Sequence, residues 1–164
     1  NLYGDIAFRA AAALRDPEIH NYFVKVIQRV CPKTVPQAEG EIIVVRRFLE
    51  NLSGDGPRFI TKGTAVSGDR NGQQSIAYRW PFGPVMHISP FNFPLEIPVL
   101  QMMGALITGN KITVKVDSRV SLVAEQFVRL LIQCGLPPTD LDLIHCNGIN
   151  AEKFIRMTPE LRML

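Results

Sequence analysis

Three cysteines and three histidines carry the widest chemical repertoire in this chain: Cys31, Cys134 and Cys146, with His20, His87 and His145. A thiolate would act as a nucleophile, and cysteines with histidines would ligate a metal. Their spacing favours neither chemistry. No Cys-x-x-Cys is present, the histidines are isolated, and no zinc-type spacing links the two sets. Cys134 falls on the apolar stripe of a helix beside Gly135 and reads as core, while Cys146 closes a strand. No metal site is expected, and no cysteine is expected to be catalytic. The odd count, widely spread, points to a reduced compartment rather than a disulfide scaffold. A second group stands where short apolar strands end: Ser89-Pro90-Phe91-Asn92, then Lys115 to Ser118, then Cys146-Asn147-Gly148. The ends of parallel strands are where a polar ligand is bound.

The elements that would position these residues follow from composition and period. The chain has 164 residues, 46% hydrophobic and 20% charged, which excludes a disordered or collagen-like chain. That length predicts one domain, or parts of two. No apolar run reaches the roughly 18 residues of a membrane span, so no transmembrane segment is expected. Net charge is +3, from 18 basic and 15 acidic residues. The surplus is too small to argue for nucleic acid, and no basic run with interleaved aromatics occurs.

Residues 5–15 are Ala-rich and favour helix. Asp16-Pro17 reads as the cap and first residue of a second helix with Ile19, Phe23, Val26, Ile27 and Val30 on one face. A third helix starts at Pro36 and carries Ile42, Val45, Leu49 and Leu52 as its stripe; the run 53–57 breaks it. Residues 1–57 are thus a helical segment. Residues 58–80 change period, with Phe59-Ile60 and Ala65-Val66 on one side of Asn71-Gly72 and residues 75–80 on the other. Asn-Gly is a hairpin turn pair, and such a two-stranded ribbon needs a partner surface.

Residues 81–164 alternate strands with helices. Strands are expected at 85–89, 111–116 and 141–145, and helices from Pro94 to Thr108, over 121–134 and over 151–157. Residues 162–164 read as the opening of a fourth strand. This β-α-β-α-β-α-(β) order predicts a parallel sheet with right-handed crossovers. No Gly-x-Gly-x-x-Gly follows the first strand; Pro90-Phe91-Asn92-Phe93-Pro94 stands there instead. The usual pyrophosphate-binding fingerprint is absent. Pattern alone stops at an α/β nucleotide-binding half with an unusual first turn.

These segments carry a resemblance. Trp80-Pro81-Phe82-Gly83-Pro84-Val85, Ser89-Pro90-Phe91-Asn92-Phe93-Pro94, Met103-Gly104-Ala105-Leu106 with Gly109-Asn110, Val114-Lys115 and Cys134-Gly135-Leu136-Pro137 stand in order and spacing that resemble the aldehyde dehydrogenase superfamily. The stretch from Gly72-Gln73-Gln74-Ser75 to Pro98-Val99-Leu100, with Lys115-Val116-Asp117-Ser118, is similar to the plant-type mitochondrial delta-1-pyrroline-5-carboxylate dehydrogenases. The resemblance covers nearly the whole chain. It implies an α/β fold: N-terminal helices plus a β-hairpin of oligomerisation type, then a Rossmann-like parallel βαβ half that binds NAD, incomplete as it stands.

The resemblance also assigns roles. Asn92 matches the amide that donates to the thiohemiacetal oxyanion, stabilising charge that appears only in the transition state; its plainer role would be to cap the following helix. Lys115 matches the lysine that bonds the adenosine ribose. The family commonly follows that lysine with Pro and places a Glu three positions after it, whereas Val116 and Ser118 stand here. Ser118 can share the ribose hydroxyls but lacks the charge; NAD remains the expected cofactor. Ser89 and Pro90 fall at the cofactor site, Phe91 lines the nicotinamide side and Phe93 the substrate channel. The implied reaction is NAD-dependent oxidation of glutamate γ-semialdehyde, the open form of pyrroline-5-carboxylate, to glutamate in proline catabolism, in the mitochondrial matrix, although no transit peptide is seen here. The family's nucleophilic Cys and general-base Glu are expected beyond Leu164, so the 164 residues alone are expected to be inactive. Expected partners are the aldehyde substrate and further copies of the chain. The competing expectation is a truncated relative serving as a structural or interaction subunit of a larger assembly.

Overall fold

The computed structural model describes residues 2–164. Helices α1 (Leu2–Ala13), α2 (Pro17–Val30) and α3 (Val35–Ser53) follow the apolar periods of the sequence. Asp16 caps α2 by accepting from Glu18 N at 2.8 Å. Thr34 and Gln37 form a capping box on α3: the Thr34 hydroxyl accepts from Gln37 N, and Gln37 Oε1 accepts from Thr34 N at 2.9 Å. This cap starts α3 one residue ahead of Pro36. Ile42, Val45, Leu49 and Leu52 are buried, as their spacing requires.

The hairpin is shorter than residues 58–80. Gly56–Ile60 form a single helical turn, α4, so Phe59 and Ile60 are not strand residues. Pro57 lacks an N–H and has its φ preset, which suits the first turn of a helix better than a ladder. Strands β1 (Thr64–Ser67) and β2 (Gln74–Ala77) pair antiparallel around a turn in which Gly72 takes φ +82°. All eight strand residues are exposed, so the ribbon buries no face against the rest of the chain.

Strands β3 (Pro84–Ile88), β4 (Lys111–Lys115) and β5 (Leu141–Ile144) form a parallel sheet in the order β3-β4-β5. Met163 bridges Val85 on the other edge of β3, also parallel, with Met86 N donating to Met163 O and Arg162 N to Pro84 O, each at 2.9 Å. The fourth strand therefore opens where the sequence placed it. The spatial order is third, second, first, fourth, which is that of a doubly wound sheet. Helices α5 (Glu96–Ile107) and α6 (Ser121–Gln133) make the two crossovers, from β3 to β4 and from β4 to β5, and pack against each other. After β5 the chain forms α7 (Gly148–Met157) and then returns to the free edge of β3 at Met163. Both α5 and α6 end in Schellman motifs on glycines with positive φ, Gly109 at +88° and Gly135 at +102°. Asn110 N donates to Ala105 O at 3.0 Å and Leu136 N to Leu131 O at 2.9 Å, satisfying carbonyls the helices leave open.

Helices α1 to α3 cover α5 and α6. Phe23 of α2 meets Phe127 of α6 edge to face at 5.8 Å. Tyr3 of α1 donates to Asp140, just before β5, at 2.8 Å; Lys111 at the start of β4 pairs with the same carboxylate. Arg9 of α1 donates to the carbonyl of Cys134 at 3.1 Å. Helix α5 begins at Glu96 rather than at Pro94, which is buried two residues ahead of it; only Pro98 lies in the first turn. Among the described residues no helix is long and apolar enough to cross a membrane.

Candidate functional site at the carboxyl ends of the sheet

The exits of β3 and β4 are tied together by Ser89 N, which donates to Lys115 O at 3.0 Å. Ser89 is 4% exposed, and its hydroxyl has no hydrogen-bond partner among the described residues. A buried polar atom left unpaired costs about 1–3 kcal/mol, so this hydroxyl marks a place where a ligand or water would be favoured. Lys115 is half-buried, and the bond its ammonium makes is to its own neighbour, Val116 O, at 3.3 Å. It lines a groove of about 390 Å³ with Ile88, Gly148, Ala151, Glu152, Ile155 and Arg156. The groove runs between the strand ends and α7. Part of its wall is aliphatic, from Ile88, Ala151 and Ile155. Of its charged groups, Glu152 and Arg156 pair with each other along α7 at 2.7 Å, which leaves the Lys115 ammonium without a carboxylate partner among the described residues of the groove. That composition fits a flat ring with an attached sugar.

The segment after β3 holds the remaining candidates. Pro90, Phe91, Asn92 and Phe93 are all exposed. Asn92 does not cap α5: Leu95 stands at the cap position. Among the described residues nothing hydrogen-bonds the Asn92 amide, which leaves its N–H free to donate outward. Phe91 lies under the Arg119 guanidinium at 4.4 Å from the ring centre. Arg119 is held by a two-pronged bond to Asp117, Nε to Oδ1 at 2.9 Å and Nη2 to Oδ2 at 2.8 Å. Those bonds, with one from Arg119 N, hold the Asp117 carboxyl well down, at about 2. Ser118 is exposed between them, on the turn that leads into α6. Lys115 thus faces the groove, whereas Ser89, Pro90, Phe91, Asn92, Phe93 and Ser118 are gathered at the same sheet end outside its lining.

Four residues that shape this segment take no role from the sequence: Arg119, Lys33 and Glu41, which carry no motif, and Asp117, which stands there only within Lys115-Val116-Asp117-Ser118. Glu41, 2% exposed, reaches from α3 to the start of α5, and one oxygen accepts from both Leu95 N and Glu96 N at 3.1 Å. Lys33 pairs with its other oxygen at 2.5 Å and lies 4.0 Å from the centre of the Phe93 ring. The neighbouring Glu96 carboxyl is pushed up, first by burial and then by the Glu41 charge. A signal existed: Glu41 falls on the same helical face as Ala38, Ile42 and Val45, and a carboxylate on an apolar stripe must find a buried partner.

A larger cavity, about 620 Å³, lies at the opposite end of β3, between Trp80, Phe82, Met86, Gln101, Thr108 and Met163. It holds none of the candidate residues. His87 borders it, with Nε2 unpartnered among the described residues and its imidazole pKa lowered by burial. Asn147, expected at a ligand-facing loop, is instead the cap of α7, accepting from Asn150 N at 2.9 Å. Cys134 is buried, and burial raises its thiol pKa against the smaller opposing effect of Arg9. Iodoacetamide at pH 8 is therefore expected to label half-buried Cys31 and Cys146 at least about tenfold faster than Cys134. Peptide mass spectrometry over a time course reads the order, and equal rates would contradict this packing. Among the described residues no three His, Cys, Asp or Glu side chains are grouped to hold a metal.

Comparison with known proteins adds to this geometry. The mitochondrial delta-1-pyrroline-5-carboxylate dehydrogenase 12A1 of Arabidopsis thaliana is 53% identical over 154 residues, 94% of this chain and 28% of that protein. A probable aldehyde dehydrogenase of Linum usitatissimum is 52% identical over the same shares. The chain thus spans little more than a quarter of the length of these relatives. Among solved structures, proline utilization A of Bradyrhizobium japonicum superposes with a TM-score of 0.84 at 26% identity, over 98% of this chain and 16% of that one. The model of the aldehyde dehydrogenase family matches residues 4–164. Helical layer, ribbon, parallel sheet and sequence agree: the chain belongs to the aldehyde dehydrogenase family.

Proposed function

We propose that this chain supplies the oxyanion donor and part of the cofactor site of an NAD-dependent dehydrogenase that oxidises glutamate γ-semialdehyde to glutamate. The observation that carries the substrate is the 53% identity, across 94% of the chain, to a delta-1-pyrroline-5-carboxylate dehydrogenase. The likeness to proline utilization A is consistent with the same metabolic setting. The name of the plant relative supports a mitochondrial location.

In this reading the Asn92 amide donates to the oxygen of the aldehyde carbon as it becomes negative, after attack by a thiolate. Cys134 is buried, and among the described residues no hydrogen bond joins the thiol of Cys31 or Cys146 to a histidine or a carboxylate that could activate it. None suits the nucleophile, so the thiolate and the general base are assigned to residues outside these 164, which are expected to be inactive alone. Lys115 and Ser118 hold ribose hydroxyls, the first by donating and the second by donating and accepting. Ile88, Ala151 and Ile155 give the groove an apolar wall for the adenine. Ser89 and Pro90 border the cofactor, and Phe91 and Phe93 keep water from the reacting carbon. When bound, nicotinamide accepts the hydride from that carbon. The exposed ribbon β1-β2 pairs with another copy of the chain, as its lack of a buried face suggests.

Lys115 acts far from the reacting carbon, so its loss removes uniform binding. The Lys115→Ala variant of the complete protein is expected to raise KM for NAD about tenfold with kcat within about twofold. An unchanged KM removes Lys115 from the cofactor site. For the substrate, kcat/KM for glutamate semialdehyde is expected to exceed that for propanal by at least about 100-fold. Equal values would return the chain to a dehydrogenase of simple aldehydes.

A further inference from the structure

We propose that Glu41, with Lys33 as its counter-ion, is a positioning residue for the oxyanion site, because the pair fixes the segment that carries Asn92. The inference rests on the role given to Asn92 under the proposed function. Helix α5 has no local side-chain cap, since Leu95 occupies the cap position. Glu41 supplies the cap from α3, 54 and 55 residues earlier in the chain, with Oε2 accepting from Leu95 N and Glu96 N. Oε1 takes the Lys33 ammonium, and that ammonium lies over the Phe93 ring. Lys33 is itself anchored, its carbonyl accepting from Gln28 Nε2 at 3.1 Å. The residue after Asn92 is thus held through its ring by a cation. The residues three and four beyond are held through their amides by an anion. On the other side Phe91 is held by Arg119.

Asn92 has no hydrogen bond of its own among the described residues, so whatever fixes it acts through these neighbours. The helix cap accounts for one carboxylate oxygen; the other binds Lys33, whose ammonium lies over Phe93 beside Asn92. The Glu41 side chain is 1% exposed, and an apolar residue would continue the α3 stripe. Leu95 at the cap position is wholly buried in the core, so a polar side chain there would be costly and the cap comes from Glu41. The ion pair instead joins three elements at one point: the turn before α3, α3 itself and the Asn92 segment. A displacement of about 1 Å in a positioned group can cost up to about 100-fold in rate, so a fixed segment matters to the chemistry even though neither Glu41 nor Lys33 touches substrate.

The test is a double-mutant cycle in the complete dehydrogenase. Glu41→Gln keeps the shape and one acceptor but turns an amide NH₂ group toward the Lys33 ammonium. It is expected to lower kcat about tenfold with KM for NAD within about twofold. Lys33→Met keeps an apolar stem near Phe93 without the charge and is expected to lower kcat about threefold. In an Asn92→Ala background each substitution is expected to change kcat by less than about twofold, because a group acting through Asn92 has nothing left to position. A loss that persists undiminished in that background overturns the inference, as does a Glu41→Gln enzyme with unchanged kcat. If Glu41→Gln does not fold, Lys33→Met takes its place in the cycle: a loss confined to the Asn92 parent supports the inference, and an undiminished or absent loss overturns it. If Asn92→Ala alone leaves kcat unchanged, the proposed function fails at Asn92 and this inference falls with it. If Asn92→Ala is impaired and the Glu41 and Lys33 variants are not, only this inference falls.

Discussion

The Asn92→Ala variant of the complete dehydrogenase is expected to lose about 10²–10³-fold in kcat, the range found when one oxyanion donor is removed. Asn92 is exposed and caps no helix, so truncating it breaks no internal bond and opens no cavity. The melting temperature is therefore expected to move by less than about 2 °C, as for surface substitutions that touch no special feature. In the role proposed for Asn92 the amide meets charge only when the carbonyl oxygen becomes an oxyanion, so kcat is expected to fall while KM for the aldehyde changes little. Asn92→Asp is expected to be no better than Asn92→Ala, because a carboxylate would face the developing negative charge. Steady-state kinetics with saturating NAD measure both. A kcat within about threefold of the parent would remove Asn92 from the chemistry.

The second large effect is on stability. Phe127→Ala is expected to destabilise the fold by about 3–5 kcal/mol. Phe127 is wholly buried on the face of α6 that meets α2, where its ring contacts the Phe23 edge. That aromatic pair accounts for about 0.5–1.5 kcal/mol of the loss, and the cavity with lost apolar burial for the rest. Phe23→Ala is expected to cost less in the Phe127→Ala background than alone, since the two rings share one contact. Urea unfolding followed by circular dichroism reads these differences. A loss below about 1 kcal/mol would mean that the N-terminal helices do not depend on this packing.

The fold is largely legible in the sequence because its elements announce themselves by period and punctuation. The stripe Ile42, Val45, Leu49 and Leu52 places α3, and the glycines at 109 and 135 mark where α5 and α6 must stop. Alternation of short strands with helices predicts the parallel sheet and the strand opened by Met163. The departures share a cause. Helix α4 interrupts the expected ribbon, and α5 starts two residues after Pro94, because each is decided by partners or turns that periodicity does not encode. The cap of α5 lies on Glu41, more than fifty residues away, and no local rule links them. The same holds at the site. Lys115 and Asn92 stand out through a resemblance and through their places at strand ends. The ion pair of Glu41 with Lys33 becomes visible only once α3, the turn before it and the start of α5 meet, whereas Asp117 and Arg119, two residues apart on one turn, pair locally. A charge inside an apolar stripe is the one warning the sequence offers.

Tyr3 and Asp140 are 137 residues apart, and their bond sets a clock. Helix α1 buries Ile6, Ala7, Ala10 and Ala11 in a core whose other walls include α5 and α6. During synthesis it emerges ahead of those helices and then waits for the segment that carries Asp140. At about 5–20 residues per second that wait is on the order of ten seconds. Helix α3, on which α1 packs most extensively, is made early in that interval, but the part of the α1 apolar face that meets α5 and α6 stays open until they follow.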